Sequence, residues 1–501
     1  MAEEVQNTDQ KSSYRSIFKA TSLFGGVQVY QILTQIIRSK IVAVLLGPSG
    51  FGIAGLYQSA IDLVKQVTSL GISQSAVRDV SEANGTGDIQ RISRTVTVLR
   101  KVVWWTGMLG LIAVAALSPV LSKTSFGNYD YTIPFIVLSI TLLLDQLCAG
   151  QRVVLQGMRR LRDLAKCSAI GATLGLIITV PLYYLFGVDG IVPTMVLNAV
   201  ASLVIAWIYA RKVKLEPVEV TPRETFTESK GMMTMGLAMS ISGILSMGVA
   251  FALRSYIRSI GGTEEVGLYQ AGFAIINSYV GLVFTAIGTD YYPRLAAVNK
   301  DNQKCKEIIC QQGEIGILIL APMLTICIVF MPIVVQILYS DTFLAANEFI
   351  LWCCLGMMLR MASWVISFVF VAKSESKLFM INEVASNAYC IIFSIIGYKF
   401  FGLVGLGIAF ALDYLVYSIQ VYLIARFRYG FSFSMSFVKP FAIQLLLVVA
   451  CLSVALLTEG WVKYTIGGCL ILASGVYALV ELEKRIQIGS ALIQRIRKNN
   501  L

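Results

Sequence analysis

Histidine is missing from all 501 residues, and charge of either sign is scarce, with Asp, Glu, Lys and Arg at 14% together. The first absence removes imidazole as proton relay, general base or metal ligand, so any chemistry falls to carboxylates, Lys or Arg. The second removes the soluble classes, which carry about 25% charged residues. No GxxxxGK[ST] loop is present, so there is no phosphate cradle for an ATP-driven pump. The ten cysteines form no CxxC pair; most lie within or beside apolar runs and read as small buried residues, with no metal or other cofactor implied. The opening "MAEEVQNTDQKSSYRS" lacks a basic stretch ahead of a short apolar core, which argues against a cleaved signal peptide.

What remains is apolar: 56% of residues are hydrophobic and mean hydropathy is +0.73. Runs of about 20 apolar residues, the length of a bilayer-crossing helix, recur from end to end. The chain reads as an all-α polytopic membrane protein of about 14 transmembrane helices. The second of these is expected over 52–77, after a Gly-rich loop "LGPSGFG". Placing every second loop in the cytoplasm puts most of the 41 Lys and Arg there, and only Lys123, Lys399 and Lys463 plainly in outer loops. This positive-inside bias sets both termini in the cytoplasm. It accounts for most of the net charge of +12 without nucleic acid, and the inner loops would attract anionic membrane lipids.

The halves compare well at one offset. "YYLFGVDGIVPTMVLNAVASLVIAWIYAR" from Tyr183 matches "YKFFGLVGLGIAFALDYLVYSIQVYLIAR" from Tyr398, aligning Gly187 with Gly402 and Gly190 with Gly405. The same shift of 215 carries Gly47 onto Gly262 and Gly52 onto Gly267. The repeated tetrapeptide GLYQ is three residues out of that register. An even number of spans separates the copies, so they form a parallel repeat about an axis along the membrane normal. The expected layout is a segment 1–16, a first lobe of six spans over 17–210 and a connector over 211–231. A second lobe over 232–424, two extra C-terminal helices over 425–481 and a basic cytoplasmic tail over 482–501 complete it. The charged connector reads as the joint between lobes.

Charges at mid-bilayer cost roughly 2.5–3.5 kcal/mol on insertion scales, so they face a cavity or a partner. Candidates are Arg38, Asp62, Lys65, Asp145, Arg254, Arg258, Arg360 and Asp413. Bases outnumber acids, which suits an anion such as pyrophosphate. Each has a plainer reading. Asp62 and Lys65, three residues apart, would neutralise one another; Arg254 and Arg258 would snorkel to headgroups; Arg360 would pair with a carboxylate. Tyr57, Tyr269, Tyr279 and Trp364 could stack on sugars, though membrane aromatics mostly pack.

The stretches "IIRSKIVAVLLGPSGFGIAGLYQSAIDLVKQVTSLGISQSAVRD" and "IGGTEEVGLYQAGFAIINSYVGLVFTAIGTDYYPRLA" resemble polysaccharide exporters of the O-antigen translocase type. These belong to the multidrug/oligosaccharidyl-lipid/polysaccharide superfamily. The resemblance implies a two-lobed bundle whose central cavity opens alternately to either side, with Arg38 and Lys65 at basic positions of the first two helices. It also implies a lipid-linked oligosaccharide on a polyprenyl pyrophosphate carrier as cargo, moved between leaflets of a bacterial inner membrane without catalysis. Polymerase and chain-length machinery would be its partners. A cation-coupled drug exporter of the same superfamily would favour intramembrane carboxylates and twelve spans. A membrane glycosyltransferase or polymerase would want outer loops longer than "KTSFGNYDY" and "YSDTFLAANEF", and a bare scaffold would need no polar residue at mid-span.

Overall fold

In this computed structural model the described residues are 2–281, 283–284, 287, 291, 294–295, 298–373 and 375–486. They form twelve α-helices: α1 (Ala2–Thr68), α2 (Ile72–Gly85), α3 (Ile89–Phe126), α4 (Thr132–Gly157), α5 (Leu161–Phe186) and α6 (Ile191–Ala210). There follow α7 (Pro222–Ala274), α8 (Asn302–Leu338), α9 (Asn347–Ala372), α10 (Ser376–Tyr429), α11 (Met435–Leu457) and α12 (Gly460–Ile486). Helix is the expected solution in lipid, where each backbone N–H and C=O must find a partner within its own segment. Ten helical stretches among these residues are long and apolar enough to cross a membrane.

The repeat is written in the backbone. Helix α4 runs Thr132–Gly157 and α9 runs Asn347–Ala372, equal in length and shifted by 215 at both ends. The turns that follow coincide: Arg160 N–H donates to Leu155 O at 2.8 Å, and Glu375 N–H to Phe370 O at 2.9 Å. Helix α1 breaks at Gly47 (φ 65°, ψ −175°) and α7 at Gly262 (φ 76°, ψ −173°). Gly187 after α5 (φ 56°, ψ −128°) matches Gly402 inside α10 (φ 57°, ψ −140°). These conformations are open almost only to glycine and cost other residues about 1–3 kcal/mol.

The expected loop "LGPSGFG" is therefore a one-residue kink, with Pro48 taking up the helix again directly after it. Proline suits a first helical turn, where its missing N–H has no partner to lose. Gly262→Ala should lower the thermal midpoint through backbone strain alone, since an added Cβ there meets nothing within 4 Å. Gly468→Ala, equally uncrowded but helical, should leave the midpoint unchanged or raise it.

The segment expected at 52–77 ends earlier, at Thr68. Leu70 (φ 50°) and Gly71 (φ 62°) turn the chain left-handed, and α2 starts afresh at Ile72. Asp88 caps α3 by accepting from the N–H groups of Gln90 and Arg91, and Asp301 caps α8 in the same way from Gln303 and Lys304.

The chain divides into two compact units, Met1–Val266 and Gly267–Leu501. Most of α7, the first helix of the second repeat, belongs to the first unit. Its packing there is backbone to backbone. A Cβ on Gly71 would fall 2.1 Å from Gly236 O, and one on Gly236 would fall 2.3 Å from Leu70 O.

The charged connector is pinned to the same unit. Glu216 N–H donates to Ser93 Oγ at 2.9 Å and Lys101 Nζ donates to Val220 O. Val213, Val220 and Met232 join a core with Val80, Val96, Leu99 and Val154. Arg94 forks onto Glu228 at 2.6 and 3.0 Å and reaches Glu224 at 3.4 Å. The Glu224 carboxylate is held below the usual range, first by the Thr221 N–H that donates to it at 2.7 Å.

Candidate functional site

The second half of α1 carries Gln58, Asp62 and Lys65 at spacings of four and three, hence on one helical face. Helix α4 brings Asp145 to that face. Lys65 Nζ donates to Asp145 Oδ2 at 2.7 Å, both side chains being about a third exposed (35% and 32%). Asp62 instead accepts from Gln58 Nε2 at 2.9 Å. Asp62 and Lys65 thus make no direct ion pair. The lysine takes a carboxylate 80 positions away, and Asp62 is held by an amide one turn back.

Arg38, Gln58, Thr141, Asp145, Asn198 and Ser202, with the apolar Ile61, Met195 and Ala199, line an open pocket of about 200 Å³ in this unit. Arg38 has no carboxylate in ion-pair distance among the described residues. Asn198 lends its Nδ2 to Thr179 Oγ1 at 3.4 Å, and its Oδ1 is buried without a hydrogen bond.

Arg254 and Arg258 both lie on α7. Arg254 Nη1 donates to Ala250 O at 3.4 Å, and its Nε is buried without a hydrogen bond. The Arg258 guanidinium lies against the turn at Gly127 that ends α3.

In the second unit, Arg360 on α9 finds no carboxylate among the described residues. Its guanidinium stands over the rings of Phe284 and Tyr414, 5.2 and 5.4 Å from their centroids, a placement favoured by the negative ring faces. Nη1 is 3.5 Å from Asn277 Oδ1. Asp413 is 6% exposed, and its Oδ1 has no partner.

The aromatics proposed for sugar stacking are occupied elsewhere. Tyr57 (3% exposed) sits among Phe126, Tyr131 and Phe135; Tyr269 packs on Phe273 and Phe349; Trp364 packs on Phe284, Tyr291 and Phe368. The Tyr279 side chain lies outside the described residues. The cysteines are free thiols, buried or half-buried except for the exposed Cys469. Among the described residues no cluster of three Cys, Asp or Glu could hold a metal ion.

The repeat register places these polar groups in equivalent pairs. Asp145 corresponds to Arg360, Asp62 to Asn277, and Asn198 to Asp413. Equivalent positions therefore carry different charge in the two units, opposite in the first pair. Gln58, Thr141, Asn198 and Ser202 do not stand out in the sequence, because neutral polar side chains are commonplace within membrane spans. The alignment of Asn198 with Asp413 was the available signal.

A family model described as "Polysaccharide biosynthesis protein" matches residues 41–348. The chain is 21% identical over 408 residues to the lipid III flippase of Escherichia coli (strain K12), a match covering 80% of this chain and 96% of the relative. Solved structures share its fold. The lipid II flippase MurJ in an inward closed conformation matches with a TM-score of 0.65 at 14% identity, covering 93% of this chain and 99% of that one. An inward-facing multidrug resistance transporter of the MATE family and MOP superfamily matches with a TM-score of 0.64 at 17% identity, over 80% and 94%. With a family match across more than half its length, this multi-pass membrane protein belongs to the polysaccharide biosynthesis protein family.

Proposed function

We propose that the protein is a flippase that carries a polyprenyl-pyrophosphate-linked oligosaccharide from the cytoplasmic to the periplasmic leaflet of a bacterial inner membrane. The cargo is an O-antigen or similar surface-glycan repeat unit. Both termini and the charged connector lie in the cytoplasm, as the distribution of Lys and Arg supports. Each helix broken at a repeat-related glycine counts as two crossings, which supports fourteen. The lobes of the mechanism are the repeats, 17–210 and 232–424, with 425–481 as an appended pair and 482–501 as a basic tail. Polymerase and chain-length proteins would receive the product.

One observation carries this reading. Arg38, Arg254, Arg258 and Arg360 all lie within span-length apolar helices, and none has a carboxylate in ion-pair distance among the described residues. Such cations are costly in lipid and are suited to fork onto phosphate oxygens. Near-full-length similarity to a lipid III flippase supports the same cargo class. No bond is made or broken. The cycle is a population shift between states that bind the headgroup differently. An inside-negative potential favours outward passage of a negative headgroup by about 2.3 kcal/mol per uncompensated charge per 100 mV.

The test is exchange of a labelled polyprenyl-pyrophosphate oligosaccharide between leaflets of proteoliposomes. Arg38→Ala with Arg360→Ala should slow it at least tenfold, since a charge-assisted hydrogen bond contributes about 1.5–3 kcal/mol. Unchanged exchange removes the cationic pathway. A second reading, the cation-coupled drug exporter, draws on the buried, unpartnered Asp413. Drug efflux without lipid exchange would establish it.

A further inference from the structure

A basic rim at the ends of α4, α5 and α6 takes no part in the cationic pathway. Arg152 on α4, Arg159 in the turn after it, and Arg162 and Lys166 on α5 are all exposed, as are Arg211 and Lys212 at the end of α6. None of them has a carboxylate in ion-pair distance among the described residues. Asp163, the acid nearest in sequence, takes Arg160 instead, at 3.5 Å. Arg159 holds left-handed backbone (φ 54°), a place where glycine would be less strained.

These helix ends meet. Cys148 on α4, Cys167 on α5, and Ile205 and Ala206 on α6 form one buried cluster, with Tyr209 packed against it. Arg152 lies one turn beyond Cys148 on the same face of α4. Lys212 Nζ stands 4.4 Å from the Tyr209 ring centroid, and Arg211 Cζ stands 5.3 Å from that of Trp207. Below Arg211 the exposed face of α6 runs into the membrane at helical spacing through Trp207, Val204, Val200 and Leu197, each at least 38% exposed. On α5, Arg162 and Lys166 are followed in the same way by the exposed Ile170 and Ile177. Charge at the rim, an indole at the interface and apolar side chains below follow a phospholipid from headgroup to acyl chain.

A positive-inside bias alone would load the matching end of the second repeat alike. At the shift of 215, however, Arg152, Arg159, Arg160, Lys166 and Lys212 correspond to Ser367, Ser374, Glu375, Ile381 and Phe427. Only Arg162 and Arg211 keep a basic counterpart, in Lys377 and Arg426. The other cations of that end are taken up within the fold. Arg428 forks onto Glu375 at 2.6 and 3.0 Å, and Lys373 Nζ donates to Asn302 Oδ1 at 2.8 Å.

We propose that the end of α6, beside the basic α4–α5 turn, is a headgroup site for an anionic glycerophospholipid, its phosphate held by Arg211 and Lys212 and an acyl chain lying along the apolar stripe of α6. Phosphate oxygens accept from guanidinium and ammonium N–H groups. The cations of the α4–α5 turn add a field that draws in a net negative headgroup. A zwitterionic lipid carries the same phosphate with a cation beside it, which this rim repels, so the site selects by net charge. The lipid is a resident of the membrane and not the transported cargo.

The experiment reads Trp207 in the full-length protein, reconstituted in phosphatidylcholine vesicles that contain a dibrominated lipid as quencher. The difference between wild type and Trp207→Phe isolates its fluorescence from that of the other tryptophans. At equal mole fraction, dibrominated phosphatidylglycerol should associate about fivefold more strongly than dibrominated phosphatidylcholine, the factor one cation contributes near a charged membrane surface. Arg211→Gln with Lys212→Gln should abolish that preference, and Arg162→Gln with Lys166→Gln should reduce it. Unchanged quenching by the phosphatidylcholine probe shows that both variants fold. Arg426→Gln, at the equivalent position of the second repeat, should leave the preference as it was. Added salt should lower it, because exposed charges are screened.

Equal quenching of the wild type by the two probes overturns the proposal. A preference that survives Arg211→Gln with Lys212→Gln overturns it as well. Loss of the preference on adding a trace of undecaprenyl pyrophosphate would give the rim to the cargo. Loss with inorganic phosphate at constant ionic strength would make it a site for a soluble anion. Either result also defeats the resident lipid.

Discussion

Lys65→Ala should slow leaflet exchange at least tenfold, and adding Asp145→Ala should restore much of the lost rate. The single change leaves Asp145 as an uncompensated carboxylate on a cavity wall, where it repels an anionic cargo. Breaking a fully buried pair costs about 3–5 kcal/mol, and an exposed pair contributes about 0–1 kcal/mol. With both side chains about a third exposed, the single variant should lose about 2 kcal/mol. The double variant should lose less, because residues in contact are non-additive. Thermal midpoints of the two singles and the double supply that cycle. A double variant as slow in exchange as Lys65→Ala would mean that the lysine itself grips the headgroup. Recovery would mean that its role is to hold Asp145. The two roles cannot be told apart by the single variant.

That pairing shows where sequence reasoning stops. The repeat was legible because glycine at Gly47, Gly187, Gly262 and Gly402 serves a backbone conformation that other residues avoid, and such positions keep their letters while the apolar surroundings drift. The mid-span charges were legible because each is conspicuous in an apolar run. Which charge meets which is a property of helix packing. Asp62 is one helical turn from Lys65, yet Gln58 on the same face satisfies it, and nothing within α1 announces Asp145 on α4. The end of the second span at Thr68 was hidden for a related reason. "SLGISQSAV" is apolar enough to continue a helix, and only the left-handed backbone at Leu70 and Gly71 ends it. The connector shows a third limit. Its charges and prolines suggest a free joint, but Val213 and Val220 bury themselves in the core of the first unit.

Gly71→Val should be the most damaging single change proposed, preventing accumulation of folded protein or lowering the thermal midpoint more than any variant above. Two costs add. Gly71 has φ 62°, and left-handed backbone costs an L-residue about 1–2 kcal/mol. The added Cβ would also stand 2.1 Å from Gly236 O and 2.3 Å from Ser240 Oγ. Neither the turn nor the helix can yield by rotating a side chain, because the clash with Gly236 is with backbone. Helix α7 must shift, and it would carry Arg258 away from Gly127. Gly231→Ala, one and a half turns earlier on the same helix and with nothing within 4 Å, is the control and should be neutral or mildly stabilising. If the valine variant melts with the wild type, the turn and α7 do not approach, and placing α7 with the first unit is wrong. If it melts early yet still folds, leaflet exchange should fall with it. The same close approach seats α7 against the second half of α1, where a Cβ on Gly243 would fall 2.4 Å from Gln66 Nε2.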